Sequence, residues 1–240
     1  RETEQEEIYT VKEINGIKIG MICYTYNTSQ EESGKVSLNG IGLSTADSKL
    51  VNSFNYYQLD SFYEKLSGEL AQMKEQGAEA TMLFIHWGNE YELTENNFQN
   101  QQAQALCDLG VDVIVGGHPH VVQHVEVLTS TVNPEHNTIC IYSMGNAVSN
   151  QRYGNISRIS SPHTEDGLIF TVTFEKYSDG KVYPVGVNVI PTWVNMHSNN
   201  GGREYNILPL IKEQEGTWQE TYQMKSDQFN AAVKSYDRTM

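Results

Sequence analysis

Apolar and polar positions along this chain alternate in blocks whose period changes from strand-like to helical and back. Residues 17–26 (Ile-Lys-Ile-Gly-Met-Ile-Cys-Tyr-Thr-Tyr) predict a buried strand. A polar, Gly- and Ser-rich stretch over 28–48 predicts a loop. Residues 57–76 place Leu59, Phe62, Leu66, Leu70 and Met73 at helical spacing and run into Gly77, a natural end for a helix. A strand follows at 80–86, then a helix at 97–109 with Phe98, Ala103, Leu106 and Leu109 on one face, closed by Gly110. The β-branched run 111–115 predicts one more buried strand.

Strand, helix, strand, helix, strand with short connections is the pattern of a parallel sheet built from right-handed crossovers. The second half reads differently. Strands are predicted at 121–128 and 138–143 around an Asn133-Pro134 turn, and 168–177 with 181–194 form a hairpin around Ser178-Asp179-Gly180. A helix is predicted over 215–236. The fold class is α/β, with a mixed or antiparallel second half. At 240 residues, 38% of them hydrophobic, one domain is the reading, with a core about 8–195 and an extension over 196–240.

Charge narrows the partners. A formal net charge of −14 argues against a nucleic-acid backbone as the main partner. Cys23, Cys107 and Cys140 lack ligand spacing and read as buried small hydrophobes. No stretch has the length to span a bilayer. The chain opens at Arg1 rather than Met, and its first seven residues read as a solvated loop of a fragment or processed product.

The candidate chemistry sits where predicted strands end. Gly116-Gly117-His118-Pro119-His120 follows the run 111–115. The two glycines allow a ligand or another backbone segment to approach closely. Pro119 biases His118 toward extended backbone, so His118 and His120 are predicted to leave the strand as parallel imidazoles. They are either half of a metal site or a hydrogen-bonded loop. His86-Trp87-Gly88-Asn89-Glu90 ends the strand at 80–86, on the same sheet edge, and makes His86 the third imidazole. Glu90 reads as a carboxylate that orients an imidazole or relays a proton, ahead of a fourth ligand or a solvated acid. Trp87 reads as packing, or else as an aromatic lid. Asn146, in the loop after 138–143, is open to three readings: ligand of a hard cation, donor to an oxyanion, or a Gly-Asn turn. His124, His136, His163 and His197 carry no spacing signal.

Three motifs together, His-Trp-Gly-x-Glu at 86–90, Gly-His-Pro-His at 117–120 with Gln123 behind it, and Tyr-Ser-x-Gly-Asn at 142–146, resemble the capsule-synthesis proteins of the poly-γ-glutamate type, the CapA family. That family is related to the calcineurin-like metallophosphoesterases. The resemblance covers about residues 8–195. It implies an α/β/β/α sandwich with a dinuclear centre at the sheet edge, in which His86, His118 and His120 are metal ligands. Glu90 and Asn146 match positions typical of the capsule family and are the catalytic candidates. The family's Asp-containing first motifs and its Asn-Asn-His segment do not occur here, so the chain corresponds to the family's C-terminal portion and carries half of a metal site.

What the resemblance implies for function follows from that. The expected cofactors are divalent ions (Mn, Zn or Fe). The expected reaction is metal-dependent hydrolysis of a phosphoester or related bond in cell-envelope polymer metabolism. The alternative is a non-catalytic envelope protein that binds, exports or anchors an anionic polymer. Expected partners are that polymer or a phosphoester substrate, no nucleic acid, and a membrane only through a segment absent from this chain. The expected location is the bacterial cell surface. A homo-oligomer is expected of the isolated chain, because the missing half would leave a sheet edge and apolar faces open.

Overall fold

Alternate residues of the central strands serve two different cores, and this positions everything else. The structure is a computed structural model that describes residues 8–29, 35–199 and 201–240. The loop expected at 1–7 and the part of the polar stretch at 30–34 lie outside the described residues. Strands β1 (Tyr9–Ile14) and β2 (Ile17–Tyr26) form a hairpin, and the polar stretch holds a small one of its own, β3 (Ser37–Leu38) with β4 (Ile41–Gly42). Then come β5 (Ser53–Phe54), α1 (Leu59–Glu75), β6 (Ala80–His86), α2 (Asn97–Asp108) and β7 (Val113–Gly117). Strands β8 (Val125–Thr129) and β9 (Asn137–Ile141) complete the main sheet in the order β1-β2-β6-β7-β9-β8, with β5 beside the end of β2.

Neighbours from β2 to β9 in that order run parallel, and β1 and β8 are antiparallel edges. The expected α/β class, with its parallel β2-α1-β6-α2-β7 half, is what the chain forms. Ile22, Tyr24, Leu83, Ile85 and Ile114 point to one face and pack against Phe62, Leu66 and Leu106 of the two helices. Val113, Val115 and Ile141 point to the other face, where Leu168, Phe170 and Val172 of a second sheet cover them. Burying such side chains on both faces, at roughly 25 cal/mol per Å² of apolar area, is why these strands read as continuous apolar runs. Asn96 caps α2 with a reciprocal Asn96–Gln99 capping box, and Gly110 takes φ +88° just beyond it.

The second sheet is β10 (Asp166–Lys176), β11 (Val182–Asn199) and β12 (Gly202–Pro209), all antiparallel. The expected hairpin is present, but β11 runs on to Asn199 and pairs with β12, which the sequence pattern did not suggest. The single helix expected at 215–236 is corrected. A 3₁₀ turn at Lys212–Thr217 leads into α3 (Trp218–Thr221), and after a break α4 runs from Ser226 to Thr239. Gln223 at φ +52° turns the chain at that break, because Trp218, Met224 and Ala232 must all reach one cluster with Trp193 and Leu208. The cysteine reading is also corrected at one position. Cys107 and Cys140 are buried, but Cys23 is exposed. Its neighbours Ile22 and Tyr24 take the helix-side core, so the alternation of the strand sends Cys23 outward. Among the described residues no helix is long and apolar enough to cross a membrane.

Candidate functional site

Three parallel strands end together. Thr25 of β2 is level with His86 of β6, which is level with Gly117 of β7, so the loops that follow share one edge of the sheet. This is the edge where α/β sheets gather ligands. Between the strands, Trp87 is fully buried and donates its indole N–H to the Tyr142 carbonyl at 2.9 Å. Trp87 is therefore packing. Gly116 makes that bond possible: a Cβ there would lie 2.0 Å from the Tyr142 oxygen. The close approach expected of the glycine pair is thus by backbone, and at Gly116.

The histidine loop does not follow the extended course expected from Pro119. His118 has φ +102° and His120 φ +59°, both in territory that favours glycine. The cause is tertiary. Trp87 N–H donates to the Gly117 carbonyl at 3.0 Å and Tyr91 N–H to the Pro119 carbonyl at 2.8 Å, which fold 117–120 back over 87–91. Such strain, on the order of 1–3 kcal/mol per residue, persists only where the surroundings over-determine it. The imidazoles are not parallel: the rings of His118 and His120 are 5.9 Å apart and tilted by 55°. His86 lies 4.5 Å from His118, so all three expected histidines do meet.

Two of the rings have definite partners. The Tyr26 hydroxyl is hydrogen-bonded to His118 Nε2 at 3.1 Å, and burial raises the Tyr26 pKa, so Tyr26 keeps its proton. Asn146 Oδ1 is 2.9 Å from His120 Nδ1. The Asn146 amide donates to the carbonyls of His120 and Thr164, at 3.2 and 2.9 Å, which fixes its orientation. Its oxygen therefore accepts, and His120 carries a proton on Nδ1. Nε2 is 3.4 Å from Gln151 Nε2 and 3.9 Å from Glu90 Oε1. Burial, then its histidine neighbours, lower the pKa of His118 to about 4, and burial followed by His120 lowers that of His86. Both are neutral near pH 7.

Neutral imidazoles such as those of His86 and His118 are the right donor chemistry for a divalent ion. The carboxylate side is thinner. Glu90 forms an ion pair with Arg158, and among the described residues no three His, Cys, Asp or Glu side chains are grouped to hold a metal. His86, His118 and His120 thus supply the donor type of a metal site without forming a three-ligand group.

The loops frame a cavity of about 840 Å³ lined by His118, Glu90, Tyr26, Tyr56, Tyr91 and Arg158. Sequence reasoning missed Tyr26, although it too ends a strand at this edge. Arg158 had no signal, lying 68 residues from Glu90 in a stretch without periodicity. His124, His136, His163 and His197 lie outside the cluster: His124, for one, sits between Glu95 and Glu126 at 2.8 and 3.0 Å.

Known proteins are similar to this chain in sequence. Over 113 residues the chain is 42% identical to the PGA biosynthesis protein CapA of Bacillus subtilis, covering 46% of this chain and 26% of that protein. It is 37% identical over 78 residues to the capsule biosynthesis protein CapA of Bacillus anthracis, covering 32% of this chain and 17% of that protein. The matched part thus spans about a quarter or less of these relatives. A hypothetical protein of known structure from Thermus thermophilus overlaps it more loosely, with a TM-score of 0.39 and 11% identity over 77% of this chain and 61% of that one. The model of the bacterial capsule synthesis protein family PGA_cap matches residues 1–151, which carry His86, Glu90, His118, His120 and Asn146, and the chain belongs to that family.

Proposed function

We propose that the site is the histidine part of a metal-dependent hydrolase centre acting on a phosphoester or related bond in cell-envelope polymer metabolism. The observation that carries this reading is the state of the three imidazoles. His86 and His118 are held neutral by burial, and His120 has Nδ1–H committed to Asn146 at 2.9 Å, which leaves Nε2 as the nitrogen for a ligand. His86, His118 and His120 would hold the ion (Mn, Zn or Fe), and a divalent ion there supplies a Lewis acid that polarises the scissile bond and acidifies water. Asn146 orients His120 without touching substrate. Glu90, 3.9 Å from His120 Nε2, is placed to take or pass on a proton.

The test is metal analysis of the full-length protein, followed by phosphomonoester and phosphodiester assays with added manganese. Bound metal and turnover that His118→Ala abolishes are the expected results. No bound metal and no turnover, with His118→Ala silent in a capsule phenotype, would sink the enzyme reading.

One observation favours a second reading, a non-catalytic protein that binds or helps export an anionic polymer: among the described residues, no three His, Cys, Asp or Glu side chains, the three histidines included, are grouped to hold a metal. Under it the cavity binds polymer and no metal is retained. Membership of a capsule family associates the chain with the cell envelope. Attachment at the outer face of the membrane belongs to the proposal, as does self-association of the isolated chain. A monodisperse monomer by size-exclusion chromatography with light scattering would count against self-association.

A further inference from the structure

We propose that Arg158 is the anion-recognition residue of this cavity, held by Glu90 until a carboxylate or phosphate of the ligand replaces it. The inference rests on the reading of the cavity as a substrate site, and adds a residue and an exchange of partners to it.

Electrostatics sets the problem. A chain with a net charge of −14 repels an anionic ligand at long range, so binding needs a local cation. Around this cavity the described lining contains one side chain that is always cationic, Arg158, set against Glu90 and Glu92. Its guanidinium lies 5.3 Å from the centre of the Tyr91 ring, and that ring is 5.9 Å from the ring of His120. Stacking on an aromatic face leaves the in-plane N–H donors of a guanidinium free, which suits bidentate capture of carboxylate or phosphate.

Nη2 of Arg158 is paired with Oε2 of Glu90, whereas Oε1 of the same carboxylate is the atom that approaches His120. One carboxylate thus sits between the cation and the imidazole. The pair is open to solvent, with side-chain exposures of 66% for Arg158 and 34% for Glu90, so separating it costs little. An incoming anion that takes the Arg158 donors leaves Glu90 to His120 alone. Ligand binding and the readiness of Glu90 are coupled through this exchange.

The coupling makes the test directional. Binding to the metal-free protein is measured by calorimetry with inorganic phosphate and, separately, with a glutamate oligomer, for the wild type, Arg158→Gln, Arg158→Lys and Glu90→Gln. Arg158→Gln is expected to lose about tenfold or more in affinity and Arg158→Lys to fall between, since an ammonium cannot pair bidentately. Glu90→Gln removes the resident competitor and is expected to tighten binding by up to about fivefold. The probe whose affinity responds identifies the anion, phosphate or carboxylate. Overturning results are no binding of either probe to the wild type, an unchanged affinity in Arg158→Gln, or no tightening in Glu90→Gln. The hydrolase reading fails separately, on metal content and turnover, neither of which enters this measurement.

Discussion

Asn146 Oδ1 lies 2.9 Å from Nδ1 of His120, and the amide of Asn146 binds the carbonyls on either side of the site. One buried side chain therefore decides which nitrogen of His120 is available. Long-range ¹H–¹⁵N spectra are expected to show neutral His120 protonated on Nδ1. Asn146→Ala should introduce the Nε2–H form and lower stability by about 1–3 kcal/mol, because two carbonyls lose a buried donor. A tautomer unchanged by the substitution would remove Asn146 from any positioning role.

The Tyr26 hydroxyl is hydrogen-bonded to His118 Nε2 at 3.1 Å. A metal ion using that nitrogen must displace a neutral hydrogen bond worth about 1 kcal/mol. Tyr26→Phe is therefore expected to tighten zinc or manganese binding about fivefold in a titration. Unchanged or weaker affinity would mean that His118 does not ligate through Nε2.

Stability should depend on pH through His118. Its pKa falls from 6.5 to about 4 in the folded chain, because burial and the neighbouring histidines disfavour the cation. Between those values the unfolded chain binds more protons than the folded one, so stability rises with pH across the window and levels above about 6.5. The lowered pKa of His86 acts in the same direction. Urea unfolding from pH 4 to 8 should show this rise, and His118→Gln should flatten it. An equal slope in the variant would assign the pH dependence elsewhere.

The two adjacent glycines should respond oppositely to alanine. At Gly116 a Cβ would lie 2.0 Å from the Tyr142 oxygen and 2.5 Å from Trp87 Nε1, whereas at Gly117 nothing lies within 4 Å. Gly116→Ala is expected to cost about 3 kcal/mol or more, a fall in Tm of roughly 6–12 °C. Gly117→Ala should change Tm by no more than about 2 °C. Equal effects would contradict the packing of Trp87 on Tyr142.

Where burial was strong, the chain announced its structure. The β6 and β7 runs are apolar because both faces are covered, and the helices end where Gly77 and Gly110 take positive φ. β12 was invisible because it is an edge strand, exposed along most of its length, so no alternation marks it. The convergence of His86, His118 and His120 could be read from strand ends alone. Their ring geometry could not, because the preference of a residue before proline is local, and the bonds from Trp87 and Tyr91 that override it join separate loops. Arg158 was illegible for the same reason: its role depends on contacts with Glu90 and Tyr91 that no nearby residue signals.

Those same two bonds, Trp87 N–H to the Gly117 carbonyl and Tyr91 N–H to the Pro119 carbonyl, also bear on how the protein can move. They lace the loop after β6 to the loop after β7, so residues 86–91 and 117–120 shift as one plate. A visiting molecule meets imidazoles whose spacing is already set. Whatever accommodation it requires falls to Asn39, Tyr56 and Arg158, which line the same cavity from separate segments of chain.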